Sequence, residues 1–108
     1  MQRVNIGEFE ELVLLVVAIL NGEAYGVAVM NEIDAQTSRK VNISAVHAAL
    51  RRLEEKGFVE SGWSAASAER GGRRKRIFDI TDSGRDTLEQ VRALRNKLWD
   101  QIPGISLK

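Results

Sequence analysis

Residues 12–20 read LVLLVVAIL, and this uninterrupted apolar run is the strongest constraint on the fold. With the glutamates just before it, the run predicts a helix over residues 8–20, since acidic side chains favour the positive end of a helix dipole. This helix has almost no polar face, so neighbouring structure must cover it on more than one side. We expect part of that cover to come from a second copy of the chain.

The same run limits where the protein can work. It is far shorter than the roughly 20 apolar residues that span a bilayer. Glu8, Glu10 and Glu11 stand where a secretory signal peptide would carry cations. The absence of cysteine excludes disulfides and thiolate zinc sites and suits a reducing compartment. We therefore expect a cytoplasmic protein without a membrane segment.

Two further helices follow, joined by a short polar turn. Helical periodicity covers residues 25–36 and then residues 44–57, with Ser44 as the expected N-cap and Gly57 as the expected end. Two helices joined in this way are typical of a helix-turn-helix, whose second helix reads DNA. At about 100° per residue, one face of that helix is apolar and predicted to be buried. It consists of Val46, Ala49, Leu50 and Leu53.

A β-hairpin and a last helix complete the chain. Apolar alternation on both sides of a glycine-containing loop predicts strands at residues 58–64 and 74–80. Trp63 is expected to pack the hairpin against the helices. Thr81 is expected to cap the last helix, which ends near Pro103. The predicted fold class is mainly α with a small β-hairpin.

The outer face of the third helix suits a surface that reads DNA. Ser44 and Ala48 are small enough to let the backbone approach a major groove, and His47 lies between them. Arg51 and Arg52 can reach phosphates or guanine edges. A polar outer face is also the ordinary solvated side of a surface helix. These residues alone leave both interpretations open.

Positive charge is concentrated in the middle of the chain. Residues 39–76 hold ten cations and four acids, whereas residues 1–38 hold one cation and six acids. The chain as a whole has a net charge of only +1. A basic zone of this kind is the electrostatic footprint expected of a nucleic-acid-binding surface.

The tip of the hairpin carries much of this charge. Gly71 and Gly72 permit a tight turn, and Arg73 beside them begins a run of cations into the returning strand. An arginine at such a tip suits the negative potential of a narrow minor groove. Cations also protect exposed sheet edges from pairing, which is the alternative interpretation. The candidate recognition helix directly upstream favours contact with DNA.

The last helix carries an apolar seam suited to pairing two chains. Leu88, Val91, Leu94 and Leu98 recur at helical spacing, and Trp99 continues the seam. Trp99 is interpreted first as an anchor of the dimer interface, where tryptophan is enriched.

No constellation of residues indicates catalysis. His47 is the only histidine, and it has neither a cysteine nor an acidic cluster beside it to form a metal site. It also lacks a nucleophile at recognisable spacing. We therefore predict a protein that is not an enzyme and that needs neither a metal nor a cofactor.

Four segments resemble the PadR family of transcriptional regulators, in the order found there. They are EFEELVLLVVAIL, EAYGVAVMNEI, AVHAALRRLEEKGFVES and ERGGRRKRIFDITDSGR, and they cover residues 7–90. The chain is similar to the short, single-domain subfamily. The resemblance implies a winged helix-turn-helix domain over residues 1–80 and a dimerisation helix with its tail over residues 81–108, in one compact unit.

The resemblance also implies a function: a homodimeric regulator, usually a repressor, that binds an inverted repeat in double-stranded DNA. Some short members bind flat aromatic drugs near a tryptophan of the last helix, so a small aromatic ligand is an implied partner. His47 departs from the family, which commonly has tyrosine there. The expected DNA contacts are Tyr25, Ser44, Ala45, His47, Ala48, Arg51, Arg52, Gly72, Arg73, Arg74 and Lys75.

A different class of function also fits the basic face. A winged-helix module could use it to bind an acidic protein partner rather than DNA. That alternative predicts no affinity for duplex DNA at moderate salt.

Overall fold

Within the described part of the chain, four helices and one antiparallel hairpin follow one another in the predicted order. The computed structural model describes residues 6–64 and 74–104. Its elements are α1 (Glu8–Leu20), α2 (Gly26–Thr37), α3 (Ile43–Glu55), β1 (Val59–Trp63), β2 (Arg76–Ile80) and α4 (Asp82–Asp100). The prediction of a mainly helical fold with a small hairpin is confirmed. None of the described helices is long and apolar enough to cross a bilayer.

Helix α1 forms the centre of the core and also reaches the surface. Its side chains at Val13, Leu14, Val16 and Val17 are buried against α2, α3 and β2. The opposite side is open, because Ile19 is 56% exposed and Leu15 is 41% exposed. The chain therefore covers this apolar helix on several sides but leaves one apolar strip at the surface.

The turn into α3 differs from the sequence prediction at its cap. Asn42, not Ser44, is the N-cap residue, and its side-chain oxygen accepts a hydrogen bond of 2.8 Å from the Ala45 N–H. Ser44 lies inside the helix and is exposed. The predicted buried face is confirmed, since Val46, Ala49, Leu50 and Leu53 are fully buried.

Replacing Asn42 with alanine is expected to lower the free energy of unfolding by about 1 kcal/mol, because the Ala45 N–H loses its acceptor. Ser44→Ala is the matched control, and it should change stability by less than about 0.5 kcal/mol. Urea unfolding followed by circular dichroism measures both. A larger loss for Ser44→Ala than for Asn42→Ala would contradict this assignment of the cap.

The hairpin places one face of both strands toward α3. Val59 pairs with Ile80, Ser61 with Phe78 and Trp63 with Arg76, so these side chains share a face. Val59 and Phe78 fill the core at the base of the hairpin. The prediction that Trp63 packs the hairpin against the helices is wrong, because Trp63 lies beyond that base and is 60% exposed.

Helix α4 begins against the base of the hairpin. As predicted, Thr81 is its cap, with its hydroxyl oxygen accepting a 3.0 Å hydrogen bond from the Gly84 N–H. The Phe58 carbonyl accepts the Thr81 N–H at 3.0 Å. Gly84 is buried directly beside that carbonyl, where a β-carbon would collide with the Phe58 oxygen. The α4 helix then packs against α1 and β2.

Candidate nucleic-acid interface

The outer face of α3 holds the side chains that the sequence predicted to read DNA. Ser44, His47 and Arg51 are all exposed, one helical turn apart along the same side of the helix. Ala45 and Ala48 are partly buried beside them. This side of α3 therefore presents a small residue at its beginning, an imidazole in the middle and a guanidinium toward its end.

His47 lies against the start of α2. A β-carbon at Gly26 would be 2.5 Å from Cε1 of His47 and 3.0 Å from its Nε2, so the imidazole occupies the space that a larger residue would need. Gly26 itself is buried. The structure explains why a glycine follows Tyr25: without a side chain at residue 26, α2 can approach closely the side of α3 that carries His47.

Tyr25 links α2 to the hairpin. Nζ of Lys75 lies 4.0 Å from the centre of the Tyr25 ring, a distance typical of a cation–π contact. The Lys75 backbone is held in turn by Ser64, because the Lys75 N–H donates to the Ser64 hydroxyl at 2.9 Å. Two predicted DNA-contacting residues from distant segments are therefore neighbours.

A cleft separates α3 from β2. It has a volume of about 330 Å³ and is lined by His47, Arg51 and Glu54 of α3 and by Arg76 and Phe78 of β2. Helix α3 and Arg76 at the start of β2 therefore face a common space. The sequence reasoning did not assign Arg76 to the site, although it belongs to the basic run that the sequence made evident.

Arg52 has a different neighbourhood from Arg51. Its Nε donates a 2.9 Å hydrogen bond to Glu10 of α1, and Lys56 Nζ donates to the other oxygen of the same carboxylate at 2.7 Å. The Glu10 side chain is only 12% exposed. Burial alone would raise the pKa of Glu10, but the hydrogen bonds and positive charges of Lys56 and Arg52 outweigh it and lower the pKa.

Replacing Glu10 with glutamine is expected to lower the free energy of unfolding at pH 7 by about 1.5 kcal/mol, because the charge-assisted hydrogen bonds to α3 are lost. A pKa held below its ordinary value of 4.5 stabilises the fold above that pH, and the stabilisation disappears as Glu10 becomes protonated at lower pH. The difference in free energy of unfolding between wild type and Glu10→Gln should therefore have its full size at neutral pH and become smaller below about pH 4.5.

Glu8→Gln is the control for this experiment. Glu8 bonds Arg39 at 2.9 Å, but both side chains are exposed, Glu8 by 70%. An exposed pair of this kind contributes only about 0.5 kcal/mol. Denaturant titrations between pH 3.5 and 7 measure both variants. Equal effects of the two substitutions, or a difference that does not depend on pH, would contradict the role given to Glu10.

The acids of α1 together bond three different elements. Glu8 pairs with Arg39 after α2, Glu10 with α3, and Glu11 with Arg95 of α4 at 3.7 Å. Among the described residues, the cations near the cleft have no such ion pair with a carboxylate. Arg51 and Arg76 line the cleft, and Arg74 and Lys75 directly precede Arg76 in the chain. Arg51 and Arg76 therefore bring positive charge to the cleft that no ion pair in the part of the chain that the structure describes neutralises.

Two predicted contacts, Gly72 and Arg73, lie outside the described residues. The remaining wing residues, Arg74 and Lys75, are exposed where the chain enters β2.

The α4 residues predicted to pair two chains divide into two groups. Val91 is buried within its own chain, and Leu88 packs partly against the core. Leu94, Leu98 and Trp99 are about half exposed, at 51%, 54% and 48%. Trp99 lines a cleft of about 510 Å³ between α1 and α4, together with Leu15 and Leu88. Leu94 and Leu98 line a second, smaller cleft of about 150 Å³.

Comparisons with known proteins agree with this geometry. The family model described as the transcriptional regulator PadR-like family matches residues 13–90. No curated protein sequence matches the chain.

Solved structures of PadR-type regulators share the fold. A PadR family regulator from Eggerthella lenta is 27% identical, with a TM-score of 0.66 over 86% of this chain and 80% of that one. One from Clostridium difficile is 23% identical, with a TM-score of 0.65 over 88% and 97%. A PadR-like transcription factor from Bacteroides fragilis is 18% identical, with a TM-score of 0.73 over 91% and 89%.

Proposed function

The chain belongs to the PadR-like family of transcriptional regulators, and on that premise we propose that it is a homodimeric repressor that binds a specific sequence in double-stranded DNA. Its family consists of transcriptional regulators, so the protein is not an enzyme. The observation that carries the proposal is the shared cleft, because the outer face of α3 and Arg76 of β2 open onto the same space. We place its action in the cytoplasm.

Helix α3 enters the major groove in this proposal. Ser44, Ala45 and Ala48 let the helix approach the bases, while Arg51 reaches a guanine edge or a phosphate. His47 donates to the backbone from its position against Gly26, which restricts the imidazole. Arg52 is held by Glu10 through its Nε, so it contributes positive charge at the side of the groove.

The hairpin lies on the adjacent backbone and minor groove. Lys75 contacts a phosphate from its place above Tyr25, and Arg74 does so beside it. Gly72 and Arg73 form the tip in this proposal, as the sequence predicts. Contacts of this kind fix the position of the protein on DNA, whereas base contacts from α3 supply the sequence preference.

Two copies of the chain pair through α4 and the open strip of α1. The exposed side chains at Leu15 and Ile19 on α1 and at Leu94, Leu98 and Trp99 on α4 support this, because a monomer would leave them in water. A two-fold dimer presents two α3 helices to half-sites about one helical turn apart, which predicts an inverted repeat.

We further propose that a flat aromatic compound binds beside Trp99 and relieves repression. The cleft next to Trp99 has both apolar and charged lining residues, including Leu15, Leu88 and Arg92. Such a compound should quench Trp99 fluorescence, and Trp99→Phe should abolish that change. Binding that persists unchanged in Trp99→Phe would contradict this site.

Fluorescence anisotropy with labelled duplexes tests the main proposal. The promoter beside the gene should bind more tightly than random duplex of the same length, and its affinity should fall steeply with salt. A reporter driven by that promoter should be less active when the protein is present. No affinity for either duplex at moderate salt would overturn the proposal and favour the protein-interaction module instead.

A further inference from the structure

Four side chains form a continuous relay along the side of the cleft. Glu54 accepts a 2.7 Å hydrogen bond from the Ser61 hydroxyl, and Ser61 accepts a 3.0 Å bond from Nε of Arg76. The Arg76 guanidinium lies over the Trp63 ring, 5.2 Å from its centre. Arg76 is therefore restrained by a hydrogen bond on one side and by an aromatic ring on another.

Trp63 lies at the surface beside Arg76. Trp63 and Arg76 are directly paired across the hairpin, on the face whose inner residues are Val59 and Phe78. Trp63 is the most exposed of the large apolar side chains among the described residues. An indole in that position buries little area within the chain, so its contribution to packing is small, and it is available to a partner.

Arg76 has the donors that a phosphodiester needs. Its Nε is used by Ser61, and its two terminal nitrogens form a fork that matches two non-bridging phosphate oxygens. Glu54 is the acidic residue of the cleft lining, and its carboxylate accepts the Ser61 hydroxyl on the α3 side. The negative charge of Glu54 therefore belongs to the same chain of hydrogen bonds that orients Arg76.

The position of the cleft identifies which part of DNA would reach it. If α3 lies in the major groove and the hairpin lies on the neighbouring minor groove, one sugar–phosphate backbone must pass between them, because that backbone separates the two grooves. The cleft lies between those two elements, because residues of both α3 and β2 line it.

We propose that the Arg76 guanidinium donates hydrogen bonds to a phosphate of this strand. Trp63 packs against the adjoining sugar and also restrains the guanidinium. The inference rests on the proposed function and adds a backbone clamp to it. Ser61 is a positioning residue, since it acts on DNA only through Arg76. The clamp is indifferent to sequence, so it should contribute equally to specific and random duplex.

Salt dependence of binding gives the first test. Arg76→Ala removes one phosphate contact per subunit, so the dimer should show a log–log salt slope shallower by about 2 and an affinity about tenfold lower for both duplexes. Arg76→Lys keeps the charge and should preserve most of the slope, but it loses the fork and some affinity. Arg85→Ala, an exposed arginine in the first turn of α4, is the control and should change neither.

Trp63 fluorescence gives the second test. The chain has two tryptophans, so Trp63 is the sole reporter in a Trp99→Phe background. Saturating duplex should change its emission, and Trp63→Ala should weaken binding several-fold without lowering the melting temperature by more than a few degrees. Trp63→Phe should fall between them, because phenylalanine is a weaker cation–π partner.

Specific results would overturn the clamp. An unchanged salt slope in Arg76→Ala, or Trp63 emission that does not respond to saturating duplex, would remove it while leaving DNA binding by the wild type intact. Failure of the wild type to bind any duplex would instead refute the proposed function. If Arg76→Ala lost affinity for the specific duplex but kept it for random duplex, the clamp would also be contradicted, because that result would indicate that Arg76 reads bases.

Discussion

Replacing Leu98 with aspartate is expected to convert the proposed homodimer into monomers and to abolish tight operator binding. Leu98 is half exposed on α4 in the single chain, so the substitution should leave the monomer folded. At a two-fold interface each copy contributes one Leu98, so the carboxylate is introduced twice. At about 2 kcal/mol for each buried group without a partner, the dissociation constant of the dimer should rise about a thousandfold.

Ala93→Asp is the matched control for Leu98→Asp. Ala93 is exposed on the same helix, five residues earlier and about 140° around the axis from Leu98. The Ala93→Asp variant should remain dimeric and bind the operator. Sedimentation velocity at several concentrations measures the oligomer, and anisotropy measures the DNA affinity. A Leu98→Asp variant that stays dimeric would refute pairing through this part of α4.

The second large effect concerns Gly84, whose replacement with alanine should lower the free energy of unfolding by about 3 kcal/mol. The new methyl group would meet the Phe58 carbonyl oxygen and lie 2.8 Å from Cγ1 of Ile80. The carbonyl belongs to the main chain and already accepts the Thr81 N–H, so it cannot rotate away. Either α4 must shift from the hairpin or the junction between them must loosen.

Gly62→Ala separates this collision from the general effect of removing a glycine. A β-carbon at Gly62 would have no atom within 4 Å, and alanine in a strand is favoured over glycine by about 0.5 kcal/mol. This variant should be as stable as the wild type or slightly more stable. Thermal and urea unfolding measure both, and a Gly84→Ala variant with wild-type stability would contradict the close approach of α4 to Phe58.

Local signals in the sequence were sufficient for most of the fold. The spacing of Val46, Ala49, Leu50 and Leu53 fixed the buried face of α3, and Thr81 was a correct cap because its hydroxyl serves an amide only three residues away. The cap of α3 was wrong by two positions. Asparagine and serine are both good caps, and only the extended backbone at Asn42 decides between them.

Long-range contacts at the candidate site were beyond the reach of sequence spacing. Arg52 and Glu10 are 42 residues apart, and nothing in either segment indicates that they meet. The exposure of Trp63 was missed for a related reason: a tryptophan in an alternating strand is usually interior, but the core ends at Val59 and Phe78. The basic run leading into β2, in contrast, was evident from the order of residues 73–76 alone.

The acidic end of α1 has a mechanical consequence. Its three glutamates pair with the segment after α2, with helix α3 and with helix α4, so α1 connects the proposed subunit contact to the proposed DNA-reading helix. A change in the angle between two paired subunits would then rotate each α3 together with its whole subunit, as a rigid body, rather than bend a local loop. The angle at which the subunits meet would therefore set the distance between the two α3 helices, and with it their match to the two half-sites.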